Sequence, residues 1–313
     1  MKIKICIVGA GIIAQEYLKV LKDIKNLNVV GIYSRTMKKA INLKKKFKIK
    51  KVYPNIYEMN QKEKPQGVII ATSVEATKKV LKKCLKFNWK ILVEKPLGYN
   101  LKEFYKIKKF SRNEKKKIFI ALNRNHFGST LLLKKKIKNY KSRRIIFVQD
   151  QENNLFKNHE YSKKVIKNWM FANSIHLIDY FRIFGRGKIL KVKTYIKNVS
   201  KNQRIVNSEI NFSSGDIGIY KCFWNLCAPW AVSIIFKNER FELKPLEVLN
   251  YYLNAKKKNI FLPKSNDLKY KPGFKIQISK FLKKISGSNL KLLPNITDCE
   301  FTMKLIDKIY RKK

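Results

Sequence analysis

The sequence predicts an α/β protein with two parts: a doubly wound parallel sheet at the N-terminus, then an α+β domain with an open, mostly antiparallel sheet. Three observations lead to this fold class. Short apolar runs alternate with helical periodicities over the first 122 residues, and a glycine-rich turn follows the first run. After Leu122, strand-like segments follow one another directly, joined by short turns. We therefore expect two domains, residues 1–122 and 123–313.

The first domain is predicted to alternate strands with helices. Each strand is short and apolar, and each helix carries apolar residues at helical spacing. Strands connected through helices lie parallel, with helices on both faces of the sheet. The predicted strands are Lys2–Val8, Asn28–Tyr33, Lys51–Tyr53, Gly67–Ala71, Lys90–Val93 and Ile118–Leu122, and the predicted helices are Ile12–Leu21, Met37–Lys46, Ile56–Asn60, Glu75–Asn88 and Leu101–Asn113.

The second domain is predicted to be α+β. Strands that are close in sequence and joined by turns such as Ser213-Ser214-Gly215 pair in antiparallel fashion. The predicted strands are Arg144–Asp150, Lys188–Lys197, Arg204–Phe212, Ile217–Trp224, Trp230–Phe236 and Arg240–Lys244, and the predicted helices are Ser129–Tyr140, Trp169–Phe184, Phe274–Ile285 and Ile296–Lys308.

The N-terminal stretch has two interpretations. A basic start and an apolar run are typical of a secretion signal, but a small-residue cleavage site is missing. The same residues fit a strand that ends in G-x-G-x-x-A at Gly9, Gly11 and Ala14. In such a turn the first glycine permits the tight bend, the second lets a pyrophosphate approach, and the small third residue lets the helix pack closely. We favour this nucleotide-binding turn and assign Ile12 and Ile13, which open the helix, to the same site.

The end of the second strand indicates the cofactor. NAD sites usually place an acidic residue there, about 20 residues beyond the glycines, to bind the ribose hydroxyls. The segment here is Ser34-Arg35-Thr36, without an acid. Its two hydroxyls can hydrogen-bond a 2′-phosphate, and Arg35 can pair with it. We expect NADP, with NAD as the second choice; the alternative is an ordinary polar loop.

The charge balance is extreme, with 71 basic against 21 acidic residues, a net charge of +50 and a pI near 10.1. Such a balance is typical of nucleic-acid-binding proteins. However, only ten of the basic residues are arginines, the side chain that base readers and phosphate clamps favour. The 61 lysines are spread along the whole chain. We therefore expect solvated surfaces and no specific nucleic-acid partner.

Cysteine usage and hydropathy indicate the compartment. The five cysteines are odd in number and scattered, and they form no C-x-x-C pair. This pattern favours reduced thiols, without disulfides or a metal site. No apolar run reaches the roughly 18 residues that a membrane span needs. We expect a cytoplasmic protein with neither a membrane nor a metal partner.

Several short motifs occur in the order and context of a known family. They are Val93-Glu94-Lys95-Pro96 at the fifth strand, Ala71-Thr72 after the fourth, Asn123-Arg124 at the domain junction, Asn173-Ser174-Ile175-His176-Leu177-Ile178-Asp179 on a second-domain helix, and Lys271-Pro272-Gly273-Phe274 with Gln277 and Phe281 beyond it. With the glycine turn, they make the chain resemble the Gfo/Idh/MocA oxidoreductases over nearly its whole length. The resemblance implies an N-terminal Rossmann domain followed by a domain with an open sheet.

The resemblance also implies roles for individual residues. Lys95 matches the family's acid/base lysine, and it lies beyond a strand's carboxyl end, where doubly wound sheets bind ligands. His176 matches the substrate-site histidine; the alternative is a core histidine bonded to Asp179. Arg124 contacts the substrate or, alternatively, ties the domains together. The implied cofactor residues are Ala71, Thr72, Glu94 and Lys95, and the implied substrate residues are Asn123, Arg124, Asn173, His176 and Asp179.

The sequence departs from the family pattern where an acid is expected. The family often has Asp four residues before the histidine, and Ala172 stands there in this chain. Two readings stay open. Lys95 works with His176 and Asn173, or an acid from Asp150 or Glu152 takes the missing place.

The resemblance implies an NAD(P)-dependent oxidoreductase that interconverts a secondary hydroxyl and a ketone. The implied substrate is a sugar or nucleotide-sugar, in the setting of surface-polysaccharide synthesis. The alternative is a catalytically silent NADP-binding regulator, which the alanine at position 172 favours. The open sheet is a candidate surface for pairing the subunits of a homo-oligomer.

Overall fold

The computed structural model describes residues 2–154 and 161–311, which form two compact units. The first unit comprises residues 2–98, 102–123 and 268–299, and the second comprises residues 99–101, 124–154, 161–267 and 300–311. Residues 268–299 therefore group with the N-terminal residues, whereas the sequence predicted that they belong to the second domain. Within the described ranges, no helix is long and apolar enough to cross a bilayer.

The first unit contains a six-stranded parallel sheet in the order β3-β2-β1-β4-β5-β6, which confirms the predicted doubly wound fold. Its strands are β1 Ile3–Val8, β2 Leu27–Tyr33, β3 Lys51–Val52, β4 Gly67–Ile70, β5 Lys90–Glu94 and β6 Ile118–Ala121. Its helices are α1 Ile12–Lys22, α2 Met37–Phe47, α3 Ile56–Glu63, α4 Val74–Cys84 and α5 Leu101–Phe110. A 3₁₀ helix at Arg112–Lys117 follows α5, whereas the sequence predicted that the helix continues to Asn113.

Helix α11, Phe274–Ile285, explains why the C-terminal segment joins this unit. Its apolar face is buried in the same core as α1 and the sheet. The Phe274 ring lies 4.8 Å from the Tyr17 ring, and the Phe281 ring lies 6.3 Å from Phe119, measured between centroids. A helical period shows that a helix has an apolar face, but it does not show which sheet that face covers.

The second unit contains an eight-stranded sheet in the order β14-β13-β12-β11-β7-β10-β9-β8. Every neighbouring pair is antiparallel except β7 with β10, which confirms the predicted mostly antiparallel sheet. The strands are β7 Ile145–Glu152, β8 Ile189–Asn198, β9 Arg204–Phe212, β10 Ile217–Trp224, β11 Ala231–Ile235, β12 Glu239–Leu243, β13 Leu249–Leu253 and β14 Lys256–Phe261. The remaining helices are α6 Gly128–Lys136, α7 Lys163–Lys167, α8 Trp169–Ala172, α9 Ile175–Phe184, α10 Ser265–Lys269 and α12 Ile296–Tyr310.

Several features of this unit differ from the sequence prediction, which also lacked helices α7 and α10. The expected helix Trp169–Phe184 is interrupted, because α8 ends at Ala172 and α9 begins at Ile175. The hairpin of β13 and β14 was not predicted. Its turn places Asn254 and Ala255 at positive φ, and its second strand is an edge strand rich in lysine, so neither segment carries a strong strand pattern.

Candidate active site

The turn between β1 and α1 brings three strand ends together. Gly9 has a φ of +114°, and a Cβ at this position would overlap the Ala71 carbonyl oxygen and lie 2.7 Å from its carbon. The Gly9 N–H donates to the Tyr33 carbonyl at 2.8 Å, and the Ala71 N–H donates to the Val8 carbonyl at 2.8 Å. Glycine is therefore required by both conformation and space.

Gly11 leaves room at the start of α1. It is the N-cap residue of that helix and makes no side-chain capping bond. A Cβ there would meet nothing within 4 Å, and the side chain of Ile12 is 77% exposed. The first N–H groups of a helix lack intrahelical partners and favour anions. The open turn therefore fits a pyrophosphate.

These residues line a cleft of about 570 Å³ within the first unit. Its walls contain Gly9, Gly11, Ser34, Arg35, Thr36, Ala71 and Thr72, so the structure brings seven predicted cofactor residues together. The other predicted cofactor residues, which do not line it, are Ile12, Ile13, Glu94 and Lys95. The exposed Ile12 points to solvent, and Ile13 packs against the hydrophobic core.

The cleft also contains residues that sequence reasoning missed. Glu75, Lys79 and Lys83 come from α4, and Lys39 comes from α2. Positions 75, 79 and 83 are four residues apart, a spacing that puts them on one helix face. Together with Arg35, the cleft has four cationic side chains and one acidic side chain. The periodic spacing was a usable signal, but a chain with 61 lysines hides it.

Glu94 is held in place at the end of β5. The Tyr17 hydroxyl of α1 donates to its Oε1 at 2.6 Å, and the Gln277 amide of α11 donates to the Tyr17 oxygen at 3.0 Å. Desolvation raises the pKa of the Glu94 carboxyl, and the bond from Tyr17 opposes that rise. Lys95 follows directly, is half-buried and precedes a cis peptide bond to Pro96.

In the second unit, the predicted substrate residues Asn173 and His176 lie at the short break between α8 and α9. Glu152, the last residue of β7, accepts a bond from the Asn173 amide at 2.9 Å and another from the Ser174 hydroxyl at 2.6 Å. The His176 N–H donates to the Asn173 carbonyl at 3.1 Å. The His176 ring is half-buried, and its Nδ1 has no hydrogen-bond partner within the described part of the chain.

Asp179 lies in a buried network instead of facing a cavity. Its carboxylate accepts bonds from the Asn125 amide at 2.6 Å, from the Thr302 hydroxyl at 2.6 Å, and from Nε and Nη2 of Arg182 at 2.7 and 2.8 Å. Only 1% of the residue is exposed. None of these bonds comes from His176. The geometry therefore gives Asp179 a structural role and supports neither its expected contact with substrate nor the alternative of a bond to His176.

Asn123 and Arg124 fall in different units. The Asn123 amide donates to the Pro272 carbonyl at 3.1 Å within the first unit. In the second unit, the Arg124 guanidinium lies 4.5 Å from the centroid of the Trp230 ring, and its Nη1 has no partner among the residues described. Burial lowers the pKa of Arg124. A buried guanidinium with an unpaired N–H can donate a hydrogen bond to an additional acceptor.

Comparisons with known proteins concern the N-terminal residues and the fold. The family model described as "Oxidoreductase family, NAD-binding Rossmann fold" (Gfo/Idh/MocA) matches residues 3–122. The match covers the N-terminal residues that contain the six-stranded parallel sheet. The resemblance found in the sequence is confirmed over residues 3–122.

Three relatives show how far the likeness extends. Trans-1,2-dihydrobenzene-1,2-diol dehydrogenase of Mus musculus is 31% identical over 99 residues, which make up 31% of this chain and 30% of that protein. A dehydrogenase from Chromobacterium violaceum superposes with a TM-score of 0.83 at 16% identity, over 99% of this chain and 94% of that one. UDP-N-acetylglucosamine 3-dehydrogenase from Acidithiobacillus ferrooxidans superposes with a TM-score of 0.79 at 11% identity, over 99% and 97%. The curated relative is matched over about a third of its length, and the two structural likenesses establish the fold.

Proposed function

We propose that this chain is an NAD(P)-dependent oxidoreductase that interconverts a secondary hydroxyl and a ketone. The observation that carries the proposal is the first unit's glycine turn, which leaves an open helix N-terminus at Gly11 beside a cationic cleft. In the same unit, Lys95 lies just beyond the carboxyl end of β5. Ligands of doubly wound sheets bind at such strand ends.

In this proposal, the cofactor takes up or supplies the hydride when it is bound. The Gly9–Gly11 turn holds its pyrophosphate. The Lys95 ammonium donates a proton to the substrate oxygen during reduction, and the neutral amine removes that proton during oxidation. Glu94, anchored by Tyr17, orients the loop that carries Lys95. His176 and Arg124 orient the substrate.

NADP is the cofactor that we propose. The end of β2 carries Ser34 and Arg35 in place of an acid, and Lys39, Lys79 and Lys83 line the same cleft. A 2′-phosphate carries up to two negative charges, and these cations complement it. Glu75, on the same cleft, repels it, so the net contribution of the four cations is smaller than their number implies.

The proposed substrate is a sugar or nucleotide-sugar. The support is the family and the fold shared with UDP-N-acetylglucosamine 3-dehydrogenase, together with the polar groups that the second unit presents around His176. We place the reaction in the cytoplasm, in surface-polysaccharide synthesis. We also propose that the first domain binds the cofactor, that the second binds the substrate, and that the open sheet pairs the subunits.

The test is single-turnover hydride transfer, measured by NAD(P)H absorbance with candidate sugars and nucleotide-sugars. Lys95→Ala should leave cofactor affinity nearly unchanged and slow hydride transfer by about 10²–10⁴-fold, the usual cost of losing a general acid/base. Lys95→Arg should be almost as slow, because a guanidinium does not release a proton near neutral pH. Equal rates in wild type and Lys95→Ala would remove Lys95 from the mechanism.

A second candidate function is a catalytically silent NADP-binding regulator. Ala172, a small buried residue at the end of α8, favours it, because the family often has an acid at this position. Tight NADP binding without turnover of any sugar would support this function. Turnover of one sugar would eliminate it.

A further inference from the structure

Two acidic side chains are buried in the second unit although the reaction as proposed uses neither. Residues of β7 alternate between the two faces of the sheet, and the inner face carries Ile146, Val148, Asp150 and Glu152. Asp150 and Glu152 are each 0% exposed. They are two residues apart, so both carboxyl groups point to the same side of the strand. Helix α9, which carries His176, packs against this strand.

The hydrogen bonds of the two carboxyl groups are unequal. Glu152 accepts from Asn173 and Ser174, as described above. Asp150 accepts from the Tyr220 hydroxyl at 2.8 Å through Oδ2, while its Oδ1 has no partner among the described residues. A buried carboxylate with an unpaired oxygen is costly. Two neighbouring carboxylates in such surroundings are costlier still, because their charges repel.

The surrounding elements supply little positive charge. Strand β10 contributes Tyr220 and Cys222, helix α12 contributes Tyr310, and burial raises the pKa of each of these groups, so all three stay neutral. Burial raises the pKa of the Asp150 carboxyl, and among the described residues Arg124 is the cation whose charge opposes that rise. One arginine cannot neutralise two carboxylates.

We infer that Asp150 and Glu152 share one proton near neutral pH and together act as a positioning pair for His176. Glu152 binds the side chains of the two residues that follow Ala172, so a different element supplies an acid beside the position where the family often has one. Glu152 accepts hydrogen bonds from the Asn173 side chain and the Ser174 hydroxyl. The Asn173 carbonyl in turn accepts a hydrogen bond from the backbone N–H of His176. A change in the charge of the pair therefore changes the hydrogen bonds of the turn that orients His176.

The consequence is a pH-dependent site. Desolvation and the neighbouring Asp150 raise the pKa of Glu152 to about 8. Below this pH, Glu152 is protonated and can donate as well as accept. Above it, the pair carries two charges that repel. This step deepens the proposed function, since it rests on the role proposed for His176 in binding the substrate.

The first experiment detects the proton without any substrate. Infrared spectra of wild type should contain a protonated glutamic-acid band at pH 7 that shifts on ¹³C-glutamate labelling and titrates near pH 8. Glu152→Gln should remove that component, while the control Glu209→Gln, at an exposed position of β9, should keep it. Asp150→Asn should lower the midpoint by about one to three pH units, because it removes a neighbouring charge. A fully ionised pair in wild type at pH 7 overturns the inference.

The second experiment tests the positioning of His176. Its ring resonance, assigned with His176→Gln, should show an additional step near pH 8 that disappears in Glu152→Gln and remains in Glu209→Gln. A merely structural Glu152 would not produce that step. A wild-type resonance without it overturns the positioning role. Because neither experiment needs turnover, the pair can be established even if the chain proves to be a silent regulator.

The third measurement is the pH dependence of unfolding in urea. The folded pKa of Glu152 lies above the unfolded value, so its stabilising contribution is full below the unfolded pKa and is lost as pH rises toward about 8. Relative to Glu152→Gln, the unfolding constant of wild type should rise about tenfold per pH unit between about pH 5 and 7.5. Parallel curves for the two proteins would contradict a retained proton.

Discussion

The glycine turn of the first unit and the α8–α9 junction of the second are held in place by different kinds of contact. The turn is built from backbone: Gly9 packs on the Ala71 carbonyl, and open space lies in front of Gly11. The junction is built from buried side chains: Glu152 orders Asn173 and Ser174, and Asp179 binds Asn125, Arg182 and Thr302. A backbone turn that requires glycine can be recognised in a short stretch of sequence. A side-chain network joins residues from distant parts of the chain, so no short stretch shows it.

The largest expected effect is in the second unit. Asp179→Ala leaves the Arg182 guanidinium without its carboxylate in a mostly buried position. Removing one partner of a buried pair typically costs about 3–5 kcal/mol. Urea unfolding should show this loss, and the substitution of an exposed acid, Glu209→Ala, should change stability by less than about 0.5 kcal/mol. A small effect of Asp179→Ala would mean that the network is less important than its geometry indicates.

The next effect belongs to the turn. Gly9→Ala places a methyl group against the Ala71 carbonyl at a positive φ. The conformation costs about 1–2 kcal/mol, and overpacking adds about 1–3 kcal/mol. Gly11→Ala is the matched control: its methyl group meets no atom of the protein, so stability should stay nearly unchanged while cofactor binding weakens. Calorimetric cofactor titration and urea unfolding check both variants, and equal stability losses would contradict the different roles of the two glycines.

A smaller effect concerns cofactor choice. Arg35→Ala should reduce NADP affinity and leave NAD affinity nearly unchanged. A hydrogen bond to a charged group contributes about 1.5–3 kcal/mol, or roughly tenfold to a hundredfold in affinity. Calorimetry with both cofactors measures the difference. Equal wild-type dissociation constants for NADP and NAD would exclude the proposed 2′-phosphate site.

The smallest effect comes from the face of α4. Lys79→Gln should weaken NADP binding by a few-fold at low salt, because an exposed cation contributes roughly 0.2–1 kcal/mol. Lys82→Gln, on the same helix but outside the cleft, is the control and should have no effect. The difference should fade as salt increases. If both variants weakened binding equally, the general charge of the protein, not the cleft, would attract the cofactor.

The predicted site residues that lie together in the structure belong to short sequence patterns. Ser34, Arg35 and Thr36 line the cleft with the glycines because strand ends in a parallel sheet share one edge. For Asp179 the sequence pattern was not sufficient. Its helical spacing from His176 indicated a shared face, but its carboxylate accepts hydrogen bonds from Asn125 and Thr302 of other elements. Lys79 and Lys83 were missed for another reason: a chain with 61 lysines hides their periodic spacing.

By itself, the sequence determined the parallel sheet, the glycine turn, the polar end of β2 and the absence of the usual acid at Ala172. Each of these is a local property, since the φ of one residue, the period of a strand or the chemistry of one position decides it. Only the tertiary structure decided that α11 covers the first sheet and that Asp150 and Glu152 lie buried beneath the turn before His176. Burial and charge depend on which distant elements pack together. The hydrophobic effect is not directional, so the apolar face of one element does not show which other element will cover it.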